Sequence, residues 1–297
     1  MIIFENDGEI DPQLISLVGV NVKGSDSAVG FFGTGLKYAI ACLARWGESI
    51  AIQSGRAEFG FCSEETTIRG RAFGVLVMRS KVDYLRLGFT TELGKQWEPW
   101  MAYRELWCNA HDEPAPRVYQ ASCAPMPQEG ITRVMVSGPK IEHAHATRQE
   151  FILDGRLPLH VVDGLEISEG AGKRIFYRGI AVQKLEKPSL YTYNITERLY
   201  LSEDREAGSW ATDQIIARGL SKIDSRTVVD ATLTPPSNSL EARLDYDYAQ
   251  SPGSVWKERA GQLASSRPLD MPPTVRSKFL ERATVSLCPT CQRPMEE

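Results

Sequence analysis

The stretch that decides the fold is YRELWCNAHDE, residues 103–113, inside a segment that we expect to be helical from Trp97 to Asp112. On a helix Glu105, Asn109 and Asp112 share one face, where neighbouring side chains lie about 5–6 Å apart. Such a face can offer a carboxylate to a water molecule and oxygen ligands to Mg²⁺, which needs few protein ligands. For the spacing alone, a solvated helix face is the favoured interpretation.

A second stretch, GFFGTGLK at residues 30–37, is a glycine-rich turn that runs into a helix. Glycines let a ligand approach the backbone, and a helix start offers unpaired N–H groups with a positive dipole end. The pattern predicts a phosphate-binding loop, although tight helix packing is the alternative. Its predicted ligand-binding residues are Gly30, Phe31, Phe32, Gly33, Thr34, Gly35, Leu36 and Lys37, with Lys23 as a second cation in the polar stretch before it.

Together the two stretches resemble the GHKL ATPases, the superfamily of gyrase, heat-shock chaperones, histidine kinases and mismatch-repair ATPases. RELWCNAHDE resembles their N-box, ExxxNAxD, and GFFGTGLK resembles their second glycine box at the end of a lid. The resemblance implies that Glu105 polarises the attacking water and that Asn109 holds Mg²⁺. It also implies that Asp112 shapes the nucleotide pocket and that Lys23 reaches a phosphate.

The N-terminal stretch IIFENDGEI, residues 2–10, resembles the family's first glycine box, DxGxG, imperfectly. With Gly8 as the first glycine, Asn6 stands at the position of the adenine-binding aspartate and Ile10 replaces the second glycine. Taking Asp7 as the aspartate instead loses the glycine spacing. Both side chains remain candidates, with Asp7 placed first. Thr132 resembles a threonine that supports the adenine-binding residue in some members.

The order of the motifs departs from the family, because here the N-box follows both glycine boxes. A circular permutation accounts for this, since the pocket requires only that the elements converge in space. The resemblance covers roughly residues 1 to 140. We therefore expect an α+β protein with a permuted ATP-binding domain at 1–145, a two-layer α/β sandwich of the Bergerat type on a mainly antiparallel or mixed sheet. A smaller α+β, transducer-like domain is expected at 146–297.

Alternating and β-rich runs predict strands on both sides of this boundary. Before it we expect consecutive antiparallel strands in SIAIQSG, AEFGFCS, TTIRGRA, FGVLVMR and DYLRLGF, then RVYQASC and ITRVMVSG. After it, LPLHVVDGLEI, KRIFYRGIAVQKL and SLYTYNI each predict a strand. SWATDQIIARGLSKI predicts a helix, and residues 239–266 predict a helix in two pieces.

The net charge and the hydropathy pattern bear on which classes of partner the protein binds. The chain has 297 residues and a formal net charge of −4, so no global positive field favours nucleic acid or an anionic membrane. No apolar run approaches a membrane span, and the cytoplasm is the expected compartment. Cys288 and Cys291 form one CxxC, which is half of a four-ligand zinc site. A redox-inert tail is favoured over a zinc site completed from elsewhere.

The function expected from the resemblance is Mg²⁺-dependent ATP binding with slow hydrolysis, in which lid closure acts as a conformational switch and promotes a homodimer. The alternative is a non-catalytic module of the same fold that binds a protein or nucleic-acid partner. A kinase is a weaker option, because no phosphoacceptor histidine stands out in the sequence.

Overall fold

The computed structural model describes residues 1–17, 34–202, 204–246 and 251–277. The chain divides into two compact units, Met1–Phe151 and Ile152–Glu297. The boundary expected after residue 145 would cut the last turn of a helix at Pro139–Ala146, which packs within the first unit. The α+β class is confirmed, since both units contain a sheet and helices.

The first unit is built on a fully antiparallel sheet of seven described strands. Their spatial order is β5-β4-β3-β2-β7-β1-β6, so the first strand lies between two strands that come much later in the chain. The strands are β1 (Ile2–Asp7), β2 (Ser49–Ser54), β3 (Ala57–Ile68), β4 (Arg71–Arg79), β5 (Tyr84–Thr90), β6 (Arg117–Gln120) and β7 (Ile131–Ser137).

Helices pack against this sheet and against one another. They are α1 (Pro12–Ser16), α2 (Gly35–Arg45), α3 (Pro99–His111) and α4 (Pro139–Ala146). The Asp11 side chain caps α1 as expected, by accepting the Gln13 N–H at 2.8 Å. Gly47, with φ +75°, follows α2 at the predicted stop. Helix α3 contacts α2, α4 and β1, which places the N-box stretch at the centre of the helical layer.

Strand alternation sorts β1 into two faces. Phe4 packs edge-on against Tyr103 of α3, with ring centroids 5.0 Å apart, so the even-numbered residues of β1 face the helices. Glu5 faces the other way, where it pairs with Arg133 of β7 and Arg117 of β6. The buried core on the helix side includes Phe4, Ile40 and Leu106.

Three stretches predicted as single strands or parts of strands each contain a hairpin turn. Arg69-Gly70 separates β3 from β4, Asp163-Gly164 interrupts LPLHVVDGLEI, and Arg178-Gly179 interrupts KRIFYRGIAVQKL. All six residues have positive φ, between 47° and 84°, as two-residue type I′ turns require. The twist of such turns matches that of the strands they join, so each predicted strand is folded back on itself.

The second unit has a mixed sheet of five described strands in the order β11-β10-β12-β9-β8, with β10 and β12 parallel. The strands are β8 (His160–Val162), β9 (Leu165–Ser168), β10 (Gly172–Tyr177), β11 (Ile180–Ser189) and β12 (Thr192–Ile195). The helices are α5 (Ser209–Lys222), α6 (Arg226–Leu233), which sequence patterns missed, and α7 (Ser254–Ser266). The first of the two pieces predicted in 239–266 is only a 3₁₀ turn at Glu241–Arg243. Among the described residues, no helix is long and apolar enough to cross a bilayer.

Helix α4 depends on a buried carboxylate from another element. Glu48, 6% exposed, accepts the N–H groups of Lys140 and Ile141 at 2.7 and 3.0 Å. These amides belong to the first turn of α4 and have no partner within the helix. We expect Glu48→Ala to lower the free energy of unfolding by about 1–3 kcal/mol, measured by urea denaturation. Glu150→Ala, at an exposed position of the same unit, should leave it nearly unchanged; equal losses would rule out the capping role.

Candidate nucleotide-binding site

A pocket of about 230 Å³ lies between the helices and the sheet of the first unit. Ligand clefts usually measure roughly 300–1,000 Å³, so this pocket suits a group the size of a nucleobase rather than a whole nucleotide. Its walls combine apolar side chains with a few polar ones. They are Phe4, Asn6, Gly8, Glu9, Ile10, Leu14, Leu36, Leu106, Asn109, Ala110, Glu113, Thr132 and Val134.

Of the two candidates for contacting a base, the pocket contains Asn6 and not Asp7. Asn6 is 7% exposed and follows Phe4 on the helix-facing side of β1. Its Nδ2 donates to the Asp7 carbonyl at 2.8 Å, which leaves Oδ1 as an acceptor. Asp7 lies on the opposite side of the strand, where its carboxylate is half-exposed and 3.8 Å from Arg117. The order of preference drawn from the sequence is therefore reversed by the geometry.

The loop after β1 is fixed by Thr132. This residue is the register partner of Asn6 on β7, and its hydroxyl donates to the Gly8 carbonyl at 2.8 Å. The same oxygen accepts the Ile10 N–H at 3.1 Å. Gly8 has φ +99°, a conformation that a side chain rarely adopts. Thr132 thus holds the loop that directly follows Asn6 and Asp7.

Helix α3, which carries the stretch that resembles the N-box, meets the start of α2 at one contact. The Glu105 side chain, 1% exposed, packs directly onto Gly35, the first residue of α2. A Cβ added at Gly35 would lie 3.0 Å from Glu105 Cδ and closer still to Oε2. Only glycine admits this approach, and it brings the carboxylate to the N-terminal end of α2. The two stretches that the sequence singled out are thereby brought together.

Arg104 accompanies Glu105 in the interior. Its guanidinium is fully buried, lies 5.1 Å from the centre of the Trp100 ring and is 3.4 Å from Glu105 Oε1. A buried carboxylate needs such compensation, because burial without an opposite charge is costly. This role was not predictable from the sequence, since a lone arginine on a helix is usually solvated.

Two polar side chains at the site are not used by the fold. Asn109 lines the pocket, and its Nδ2 is buried with no hydrogen-bond partner within the described part of the chain. The same holds for Oγ1 of Thr34, which precedes α2. Buried polar atoms are nearly always satisfied, so these two are suited to a ligand.

Helix α3 presents a slightly different face to the pocket than expected. The lining residues are Leu106, Asn109 and Ala110 of the helix and Glu113, which follows its C-terminal cap. Asp112 is the C-terminal cap of the helix and does not line the pocket. Glu9 and Glu113 were not predicted as site residues. The signal for Glu9 was its position directly after Gly8; its carboxylate accepts the Gly130 N–H at 2.7 Å.

Lys37 is 3% exposed, and burial lowers the pKa of its ammonium group. It lies one turn into α2, as predicted, but it is enclosed by protein instead of being presented to solvent. Leu36 lines the pocket beside it.

Several predicted residues lie outside the described residues: Lys23, Gly30, Phe31, Phe32 and Gly33 of the lid and glycine box, and Cys288 and Cys291. Within the described ranges, no three His, Cys, Asp or Glu side chains are grouped to hold a metal.

The contact between Gly35 and Glu105 makes a direct prediction. Alanine normally stabilises a helix relative to glycine by about 0.5–1 kcal/mol, and Gly261→Ala in α7, where a Cβ meets open space, should show that gain. Gly35→Ala should instead lower the free energy of unfolding, because the new methyl displaces the Glu105 carboxylate. Chemical denaturation of both variants measures the difference. A gain at both glycines would mean that the contact does not constrain α2.

Comparison of the chain with protein-family models, with curated proteins and with solved structures finds no match. The case for a family therefore rests on the motifs and on where the fold brings them.

Proposed function

We propose that the first unit is a circularly permuted GHKL-type domain of the Bergerat fold that binds ATP with Mg²⁺ and hydrolyses it slowly. The observation that carries the proposal is the packing of Glu105 against Gly35. Three segments that resemble the family's motifs in a different chain order converge on one site. Each motif alone is weak, but an unrelated protein has no reason to bring all three together.

The pocket fits the base of the nucleotide. Its apolar walls, Phe4, Leu36, Leu106 and Val134, suit a flat heterocycle. Asn6 Oδ1 is able to accept from the exocyclic amino group of adenine, and Thr132 holds the loop beside it. These are the roles that the family resemblance assigns to the aspartate and threonine.

Charge sets the orientation of the bound nucleotide. Glu9 and Glu113 line the base pocket and disfavour phosphates there. The N-terminal end of α2 favours phosphates through its dipole. Thr34, whose hydroxyl has no hydrogen-bond partner among the described residues, lies at this end. The phosphates are therefore assigned to the start of α2 and the base to the end of β1.

The remaining roles follow from position. Asn109 lines the base pocket one turn after Glu105 on α3, and its amide oxygen is of the ligand type that Mg²⁺ takes. When bound, Mg²⁺ would neutralise charge on the phosphates. Glu105 accepts a proton from the attacking water, and Arg104 is placed to hold its carboxylate in position. Lid closure and dimerisation belong to the same proposal and concern residues outside the described ranges.

A second candidate is a non-catalytic interaction module for a protein or nucleic-acid partner. Ile10 favours it, because the family's second glycine is missing at this position and the side chain fills part of the pocket. The two candidates differ in what they predict for nucleotide binding and for Glu105.

The first test separates binding from hydrolysis. Glu105→Gln keeps the shape of the side chain and removes the base, so turnover should fall roughly 10² to 10⁴-fold while affinity for a non-hydrolysable ATP analogue with Mg²⁺ stays the same. Glu129→Gln, an exposed glutamate that pairs with Arg56, is the matched control and should keep full activity. Calorimetry and phosphate release give the two quantities. Absence of ATP binding by the unmutated protein defeats the proposal, and binding without turnover supports the interaction module.

The second test asks which side chain contacts the base. Asn6→Ala should weaken binding of the ATP analogue by roughly tenfold, the loss of about one hydrogen bond in a buried site. Asp7→Ala removes a half-exposed ion pair on the other side of β1 and should change affinity little. Isothermal titration of both variants decides between them. The opposite ranking would return the role to Asp7.

A further inference from the structure

Three strands at one end of the sheet in the first unit form an exposed face that is rich in arginine and aromatic side chains. Strand alternation and the register of β3, β4 and β5 place these side chains on the same side, while the opposite side of β4 is buried at Leu76 and Met78. We call this surface the β3–β5 face. Within residues 62–68, 71–79 and 84–86, its charged and aromatic members are Glu64, Arg71, Phe73, Arg79, Tyr84 and Arg86. Three arginines therefore lie beside one carboxylate.

Contacts across the strands hold this face in one arrangement. Glu64 accepts hydrogen bonds from the Tyr84 hydroxyl and, at 2.7 Å, from Arg79. These bonds lower the pKa of Glu64, so its carboxylate is ionised at neutral pH and offsets the charge of Arg79. Arg86 reaches across β4 and donates to the Thr66 hydroxyl. A hydroxyl does not neutralise a guanidinium, so the positive charge of Arg86 remains available to an anionic partner.

The arginines and rings of this face are accessible and form two pairs. Tyr84 is 53% exposed, and the Arg79 Cζ atom lies 5.5 Å from the centre of its ring. The Arg71 Cζ atom lies 5.1 Å from the centre of the Phe73 ring, and its exposed ion pair with Glu92, at 3.9 Å, contributes little. Phe73 lies six residues before Arg79, which is the register partner of Tyr84, so the two pairs are about 20 Å apart along the strand. One unit, a ring beside an arginine, is thus repeated at both ends of the face.

We propose that the β3–β5 face binds single-stranded nucleic acid. Guanidinium groups suit phosphate oxygens, and exposed aromatic rings stack with bases of any identity. Each pair of a ring and an arginine therefore offers contacts for the base and the phosphate of a nucleotide, and Arg86 offers a further phosphate contact between the two pairs. Sheet faces with exposed aromatic rings bind single strands in this manner, whereas a duplex keeps its bases stacked inside.

An acidic peptide is the other polyanion that a basic face attracts. Its carboxylates would pair with the arginines but would give the rings of Phe73 and Tyr84 no stacking partner, so the face favours nucleic acid. The whole chain has a formal net charge of −4, so the attraction is local to this face. No residue of the face lines the base pocket, and the proposal does not depend on the ATPase function.

The first experiment measures the fluorescence anisotropy of labelled single-stranded RNA and DNA of about 12 nucleotides with the full-length protein at low salt. The unmutated protein should bind at least one of the two. Arg86→Gln should weaken binding several-fold and lower the slope of log K against log salt by roughly 0.7, the loss of one phosphate contact. Arg56→Gln makes the same change at the turn between β2 and β3, where the side chain is 83% exposed, and should keep both affinity and slope.

The second experiment tests the rings. Tyr84→Ala should weaken binding of the oligonucleotide roughly tenfold, because one stacking partner is lost. Tyr84→Phe removes the hydroxyl that bonds Glu64 but keeps the ring, so it should bind as the unmutated protein does. A labelled oligoglutamate peptide should bind more weakly than the oligonucleotide. Circular dichroism of each variant checks that it is folded.

The third experiment needs no variant. A bromouracil-containing oligonucleotide irradiated with the unmutated protein should become attached to Tyr84 or Phe73, which mass spectrometry of the digested complex locates. The proposal is overturned by an unmutated protein that binds neither oligonucleotide, by equal losses from Arg86→Gln and Arg56→Gln, or by unchanged binding in Tyr84→Ala. Crosslinks confined to other surfaces, or tighter binding of the acidic peptide, overturn it as well.

Discussion

The candidate site depends on one close approach, that of the Glu105 carboxylate to the backbone of Gly35. Two helices meet there, and their separation is set by the absence of a side chain at the first position of α2. The carboxylate is buried at this contact, where Arg104 and the N-terminal dipole of α2 offset the cost of its desolvation. Moving α2 outward would expose Glu105 and widen the pocket along Leu36. The shape of the pocket therefore depends on the absence of a side chain at Gly35.

The second constraint is the register of β1, which assigns Asn6 and Asp7 to opposite faces of the sheet. Glu5 and Asp7 share the face away from the helices, where hydrogen bonds from Arg133 and Tyr119 outweigh burial and lower the pKa of Glu5. A shift of one residue would bury Asp7 in the pocket and place Asn6 beside Arg117. The sequence ENDG contains both side chains and is compatible with either register. Only the pairing of Glu5 with Arg133, on a strand more than a hundred residues away, selects one.

Features that depend on local sequence were predictable, whereas features that depend on contacts between distant segments were not. The α+β class, the Asp11 cap, the end of α2 at Gly47 and the convergence of Glu105 with the glycine box all follow from local patterns or from the resemblance. The roles of Glu9, Glu113 and Arg104 do not, because they arise from contacts between segments distant in sequence. One of the three hairpin turns was missed although its signal is local. Asp163-Gly164 is a typical two-residue turn sequence, but the apolar residues on both sides favoured one continuous strand. Helix α6 was missed because its eight residues, RTVVDATL, are rich in β-branched side chains that favour strands.

The order of these elements along the chain also affects how the site forms. Strand β1 occupies an interior position of the sheet. Among the described strands its two neighbours are β6 and β7, which come more than a hundred residues later in the sequence. Asn6 and Gly8 therefore reach their final positions only after residues 117–137 are in place. Strand pairings of this sequence separation are slow to form, because closing the long intervening loop costs conformational entropy before any stabilising contact is made. In a chain with α3 directly before β1, these two elements would be close in sequence and could associate early. We therefore expect the pocket to form late in the folding of the unit, because it needs the pairing of β1 with β6 and β7.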